Sequence, residues 1–137
     1  MIDPRFRYDT EQHAFYEDNG YCLFDHFLSE QGLAECRKQI DTMIDEHHTD
    51  VPPEMMINTH QYLPWVFDLA TQPKLLDMIE TQIGRDIMLY SSHLLSKPPR
   101  TGQPVPWHQD SPYWNVKGRF SAGVWIALDD IAEENGA

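Results

Sequence analysis

A change of hydrophobic period near residue 85 limits how this chain can fold more than any other feature. Before it, apolar residues recur at spacings of three and four, the repeat of a helix buried along one side. Beyond it the pattern changes to that of strands, short runs whose alternate residues share one side. A chain that is helical first and extended afterwards belongs to the α+β class, with helices buttressing one side of a sheet.

Local signals divide the helical part. Asp9 or Thr10 can cap a short helix to about Asp18, and Asn19-Gly20 supplies a left-handed stop. Tyr21-Cys22-Leu23-Phe24 is a short apolar run bounded by turn residues and is expected as a strand. Ser29 offers the next cap, for a helix from about Glu30 to His47 whose Leu33, Cys36, Ile40, Met43 and Ile44 form one stripe. Pro52 and Pro53 interrupt the pattern, so a long loop is expected from His48 to about Tyr62. Pro73 suits the first turn of a further helix, with Leu75, Leu76, Ile79 and Ile83 on one face and Gly84 at its end.

The strand period then takes over. Ile87, Leu89, Ser91, His93 and Leu95 share one parity, Lys97-Pro98-Pro99-Arg100-Thr101-Gly102 turns the chain, and segments 105–110 and 122–128 read as extended. The expected organisation is a single partial domain over 1–137, with a mainly helical buttress at 1–84 and the first core strands at 85–137. Glu133-Glu134-Asn135-Gly136-Ala137 is a turn signal with no strand after it, an ending expected of a truncated domain.

With 137 residues and 41% hydrophobic content, one modest core is the ceiling. A formal charge of -12, from 22 acidic and 10 basic residues without a basic patch, argues against nucleic acid as a partner. Neither a leader sequence nor an apolar run long enough for a bilayer is visible, so a soluble cytoplasmic protein without membrane contact is expected. Cys22 and Cys36 lie in apolar segments without a Cys-x-x-Cys spacing and read as reduced packing residues.

The chemistry concentrates in Trp107-His108-Gln109-Asp110. On an extended segment, residues two apart project from the same side with Cβ atoms roughly 7 Å apart, so His108 and Asp110 can reach one ion. A bare His-x-Asp is a weak signal; its neighbours strengthen it. Asn19-Gly20-Tyr21, Lys97-Pro98-Pro99, Trp107-His108-Gln109-Asp110, Val124-Trp125-Ile126-Ala127-Leu128-Asp129-Asp130 and Asn135-Gly136 resemble, in order and spacing, the N-terminal part of the phytanoyl-CoA dioxygenase family.

That resemblance implies an iron(II)- and 2-oxoglutarate-dependent dioxygenase that uses O2 to hydroxylate a small organic molecule, on a double-stranded β-helix of jelly-roll type. It implies that His108 and Asp110 are the first two iron ligands and that Trp125 lines the 2-oxoglutarate pocket. His93 lies on a strand facing that pocket, and Lys97 matches the family's Lys-Pro-Pro element. The third ligand and the basic anchor for 2-oxoglutarate are expected beyond Ala137, and the carboxylate of Asp110 argues against the halogenase branch.

Other readings stand beside these. His93 can be a core histidine bonded to backbone, and Trp125 can be a packing residue. Asp129, Asp130, Glu133 and Glu134 read as a solvated turn, and His47-His48 beside Asp50 as an adventitious metal binder. For the whole chain the alternatives are a non-catalytic jelly-roll domain that has lost the complete triad, and a zinc hydrolase using the same pair.

Overall fold

A computed structural model describes residues 1–46, 56–98, 100, 102–114 and 121–135. Helix α1, Thr10–Asn19, starts where the Asp9 carboxylate accepts from the Glu11 and Gln12 amides at 3.0 Å each while the Gln12 side chain accepts from the Asp9 amide. Three otherwise orphaned amide donors are satisfied this way, which a weakly amphipathic helix of this length needs. Gly20 ends it at φ +78°, a conformation that costs glycine nothing.

Helix α2, Glu30–Glu46, is opened by Ser29, whose Oγ accepts from the Gly32 amide at 3.0 Å. All five residues of its expected stripe are buried or half-buried. Gly32 is required by close approach: a Cβ there would sit 2.3 Å from the Met1 carbonyl oxygen. Helices α3, Pro64–Ala70, and α4, Pro73–Ile83, both carry proline in the first turn, where its missing N–H costs no helical bond. The core lies between α4 and the N-terminal segment, where Phe6, Leu75 and Met78 are buried among Ile2, Tyr8, Phe24, Phe27 and Ile79. Phe6 meets Phe24 and Phe27 edge to face, at centroid separations of 5.3 and 4.9 Å.

Asp3 is buried beside this core and bound by the Arg5 amide at 2.7 Å and by its guanidinium at 3.0 and 2.8 Å. These bonds hold its carboxyl well below the usual carboxylate range. A depressed folded pKa contributes stability that is present above the unfolded value and lost as pH falls through the folded one. Asp3→Asn is therefore expected to lower the melting temperature at neutral pH, and the gap to wild type should close as pH falls below about 4. Thermal scans across that range check it; a gap independent of pH would contradict it.

The strand expectations need correction. Among the described residues the only ladder pairs β1, Met56–Ile57, with β2, His93–Leu94, in antiparallel register Met56↔Leu94 and Ile57↔His93. Segment 56–61, expected as loop, instead contributes β1 and a 3-10 turn at Thr59–Gln61. Segments 21–24, 105–110 and 122–128 carry no ladder, because strand period alone does not make a strand without a hydrogen-bonding neighbour. Phe24 is held by aromatic contacts instead. The single parity expected from Ile87 to Leu95 also breaks. Ile87 and Leu89 are half-buried, Tyr90 and Ser91 are both exposed, and Ser92, Leu94 and Ser96 are the half-buried set thereafter. The pair His47-His48 with Asp50, the prolines at 52, 53 and 99, and Gly136 lie outside the described residues.

Cys36 is buried on α2, where loss of water pushes its thiol pKa up, and both cysteines are free thiols, as a packing role requires. No helix is long and apolar enough to cross a membrane among the described residues.

Candidate metal centre

The turn that brings the chain from β2 to the His-x-Asp segment closes through the Gly102 amide, which donates to the Pro98 carbonyl at 2.9 Å. A Cβ on Gly102 would lie 2.9 Å from Cβ of Lys97, so the turn needs glycine there. After it, Asp110 opens a second turn, its carbonyl accepting from the Tyr113 amide at 2.8 Å. That turn carries the Tyr113 ring against His108 at 6.2 Å, edge to face, and the Trp114 ring to 6.4 Å from Tyr90.

The side chains of His108 and Asp110 meet on one side of the chain, although residues 105–110 form no strand. Nε2 of His108 lies 3.1 Å from Oδ1 of Asp110, with the two side chains 40% and 58% exposed. Nδ1 of His108 is 2.8 Å from the Pro106 carbonyl oxygen. A carbonyl only accepts, so Nδ1 carries a proton and Nε2 of the neutral ring carries a lone pair. Two lone-pair atoms at this separation attract only through a positive charge, supplied by a proton on Nε2 or by a cation. The imidazole pKa is accordingly raised, first by the Pro106 hydrogen bond and then by the Asp110 carboxylate, against partial desolvation.

The donor set fits a transition metal. Bonds of about 2.1 Å meeting at a right angle separate two ligand atoms by about 3 Å, so an imidazole nitrogen and a carboxylate oxygen at 3.1 Å match one edge of an octahedron. The Pro106 carbonyl fixes the tautomer as an outer-shell partner does for a metal-bound histidine. No group of three or more histidine, cysteine or acidic side chains converges among the described residues.

The remaining sequence candidates occupy distinct places. His93 lies on the exposed side of β2, and Lys97 is exposed at the start of the turn closed by Gly102. Trp125 is 65% exposed and therefore does not fill the core of this chain. Asp129 pairs with Arg37 of α2 at 3.3 Å, and the Arg37 guanidinium also donates to the Leu128 carbonyl, tying segment 122–130 to the helical half. Sequence reasoning missed this link, and it missed Ser92, which joins Thr59 and His60 across a long sequence separation.

An imidazole nitrogen and a carboxylate oxygen 3.1 Å apart are two donors that one metal ion could share. Residues 16–137 match the phytanoyl-CoA dioxygenase family, and the chain belongs to that family. It is 29% identical over 145 residues to a probable alpha-ketoglutarate-dependent hypophosphite dioxygenase of Stutzerimonas stutzeri, covering 93% of this chain and 50% of that protein. It is 28% identical to the peroxisomal phytanoyl-CoA dioxygenase of Bos taurus and 27% identical to that of Homo sapiens, in each case over 92% of this chain and 44% of the relative. The chain thus spans about half the length of the curated relatives it matches. No solved structure gives a significant match.

Proposed function

We propose that this chain carries part of the active site of an iron(II)- and 2-oxoglutarate-dependent dioxygenase that hydroxylates a small organic substrate and releases succinate and CO2. The observation that carries the reading is the contact of His108 with Asp110, whose Nε2 and Oδ1 lie at the separation of adjacent metal ligands. Family membership supports the cosubstrate, since a probable alpha-ketoglutarate-dependent hypophosphite dioxygenase is among the relatives.

Iron(II) with 2-oxoglutarate, when bound, supplies the activation of dioxygen. The chain's own residues hold and shape the site. Nε2 of His108 and Oδ1 of Asp110 would be two of the protein ligands that hold the metal. The Pro106 carbonyl keeps Nδ1 protonated and Nε2 available, and the Tyr113 edge limits rotation of the imidazole. Trp125, His93 and Lys97 face the cosubstrate pocket. The third ligand and the basic anchor for the far carboxylate lie in the half of the family's length that this chain does not span. Residues 85–137 then provide the first strands of a double-stranded β-helix and 1–84 its helical buttress. Exposed Leu95, Val105, Trp107 and Trp125 support this arrangement, since an uncovered apolar surface of this kind calls for a cover.

The full-length protein is expected to convert 2-oxoglutarate to succinate when given iron(II) and ascorbate. Trp125→Phe is expected to raise KM for 2-oxoglutarate roughly threefold to tenfold with little change in melting temperature, because it removes indole contact area from the pocket and none from the core. An unchanged KM with a lower melting temperature would return Trp125 to a packing role.

A further inference from the structure

β1 and β2 pair over two residues each, and a ladder that short does not define its own register. The next pair along, Asn58 opposite Ser92, carries a cluster that does. The Asn58 amide donates to the Ser92 carbonyl at 2.6 Å, and the His60 amide donates to Ser92 Oγ at 2.9 Å. Thr59 Oγ1 lies 3.0 Å from the same Oγ, and Nδ1 of His60 lies 2.8 Å from it. Three successive residues therefore attach to one serine. Asn58 sits in the left-handed region at φ +57°, which turns the chain so that Thr59 and His60 curl back onto β2.

The valences of the serine hydroxyl are filled. It has one proton and two lone pairs, and the His60 amide occupies one lone pair. Of the Thr59 hydroxyl and the His60 ring nitrogen, one then donates to it and the other accepts from it. Thr59 is fully buried, so removing the Ser92 hydroxyl orphans polar groups where water does not replace it.

Because the Asn58 amide bonds the Ser92 carbonyl just beyond it, Ile57 and His93 form a narrow, non-hydrogen-bonded pair, the kind whose side chains approach most closely. Both are exposed, whereas Met56, Leu94 and Ser92 are half-buried on the opposite side. A slip of one residue would carry His93 to the covered side.

We propose that Ser92 is a positioning residue: its hydroxyl clamp on residues 58–60 fixes the β1–β2 register and so holds His93, with Ile57 beside it, on the open face of the ribbon. Ser92 bonds to residues 58–60 and acts through His93. The register role stands on the geometry alone; its effect on cosubstrate binding rests on the functional reading above.

The test uses the full-length protein with two readouts. In an Ile57→Cys/His93→Cys variant, the narrow pair brings the Cα atoms within disulfide range, and oxidised glutathione should join positions 57 and 93, as read by peptide mass. Adding Ser92→Ala should cut that cross-link yield about fivefold, while Ser92→Thr, which keeps the hydroxyl, should preserve it. Separately, Ser92→Ala in the otherwise native protein should raise KM for 2-oxoglutarate roughly fivefold with kcat changed less than about twofold. That rise should be reversed by Ser92→Thr and absent in a His93→Ala background. Undiminished cross-linking with Ser92→Ala overturns the proposal whatever the kinetics do. Lost cross-linking with an unchanged KM upholds the register clamp and overturns the placement of His93 at the cosubstrate. Should Ser92→Ala fail to fold, Thr59→Val removes one bond at nearly constant shape, and an unchanged cross-link yield there likewise overturns the clamp.

Discussion

Replacing His108 with alanine is expected to reduce 2-oxoglutarate-dependent succinate formation by more than roughly a hundredfold, since loss of an outer-shell partner alone commonly costs 10- to 100-fold and His108 is assigned as a direct ligand. The imidazole is 40% exposed and its polar partners are the Pro106 carbonyl and the Asp110 carboxylate, so the fold depends on it little. Activity and melting temperature should therefore separate: turnover lost, unfolding nearly unchanged. Asp110→Ala should behave in the same way, and Gln109→Ala, between the two, should not. Succinate formation by His108→Ala at the wild-type rate would remove the histidine from the site.

The largest effect on stability is expected at Phe6. Its ring is buried, packs edge to face against Phe24 and Phe27, and joins the N-terminal segment to Leu75 and Met78 of α4. Phe6→Ala should cost about 3–5 kcal/mol, because the surrounding rings are tethered to different segments and cannot all close on the cavity. Against a total stability of about 5–15 kcal/mol this loss is severe. Leu23→Ala, at a side chain 84% exposed in the same neighbourhood, should cost less than about 0.5 kcal/mol. Denaturant unfolding of both variants checks the contrast, and comparable midpoints would mean that the core does not lie where these contacts place it.

Helices were legible in the sequence because their signals are local. Asp9 and Gly20 bracket α1, and the stripe from Leu33 to Ile44 and the face from Leu75 to Ile83 each repeat within one element. Helix α3 escaped notice because seven residues give too few repeats, although Pro64 at its start and Val66 and Leu69 three apart are its trace. The extended segments were legible only as a period. Their pairing depends on neighbours distant in the sequence, and of the stretches read as strands only His93–Leu94 forms a ladder among the described residues.

The same distinction applies to the site. His108 and Asp110 are two residues apart, so their nearness was legible, but the 3.1 Å contact forms in a segment without the strand the spacing argument assumed. The Ser92 clamp joins residues 32 and 33 positions apart through hydroxyl and imidazole groups that no local pattern marks. The link from Arg37 to Asp129 spans more still, and nothing in either segment announces it.

Anaerobic titration of the full-length protein with iron(II) and then 2-oxoglutarate tests the central assignment most directly. Chelation of bound iron(II) by the keto acid would give a metal-to-ligand charge-transfer absorption that forms without turnover. The account predicts one iron per chain, an absorption that saturates at one 2-oxoglutarate per iron, and loss of that absorption in both His108→Ala and Asp110→Ala. An absorption of full intensity in either variant, or iron bound with unchanged affinity when both side chains are removed, would contradict it.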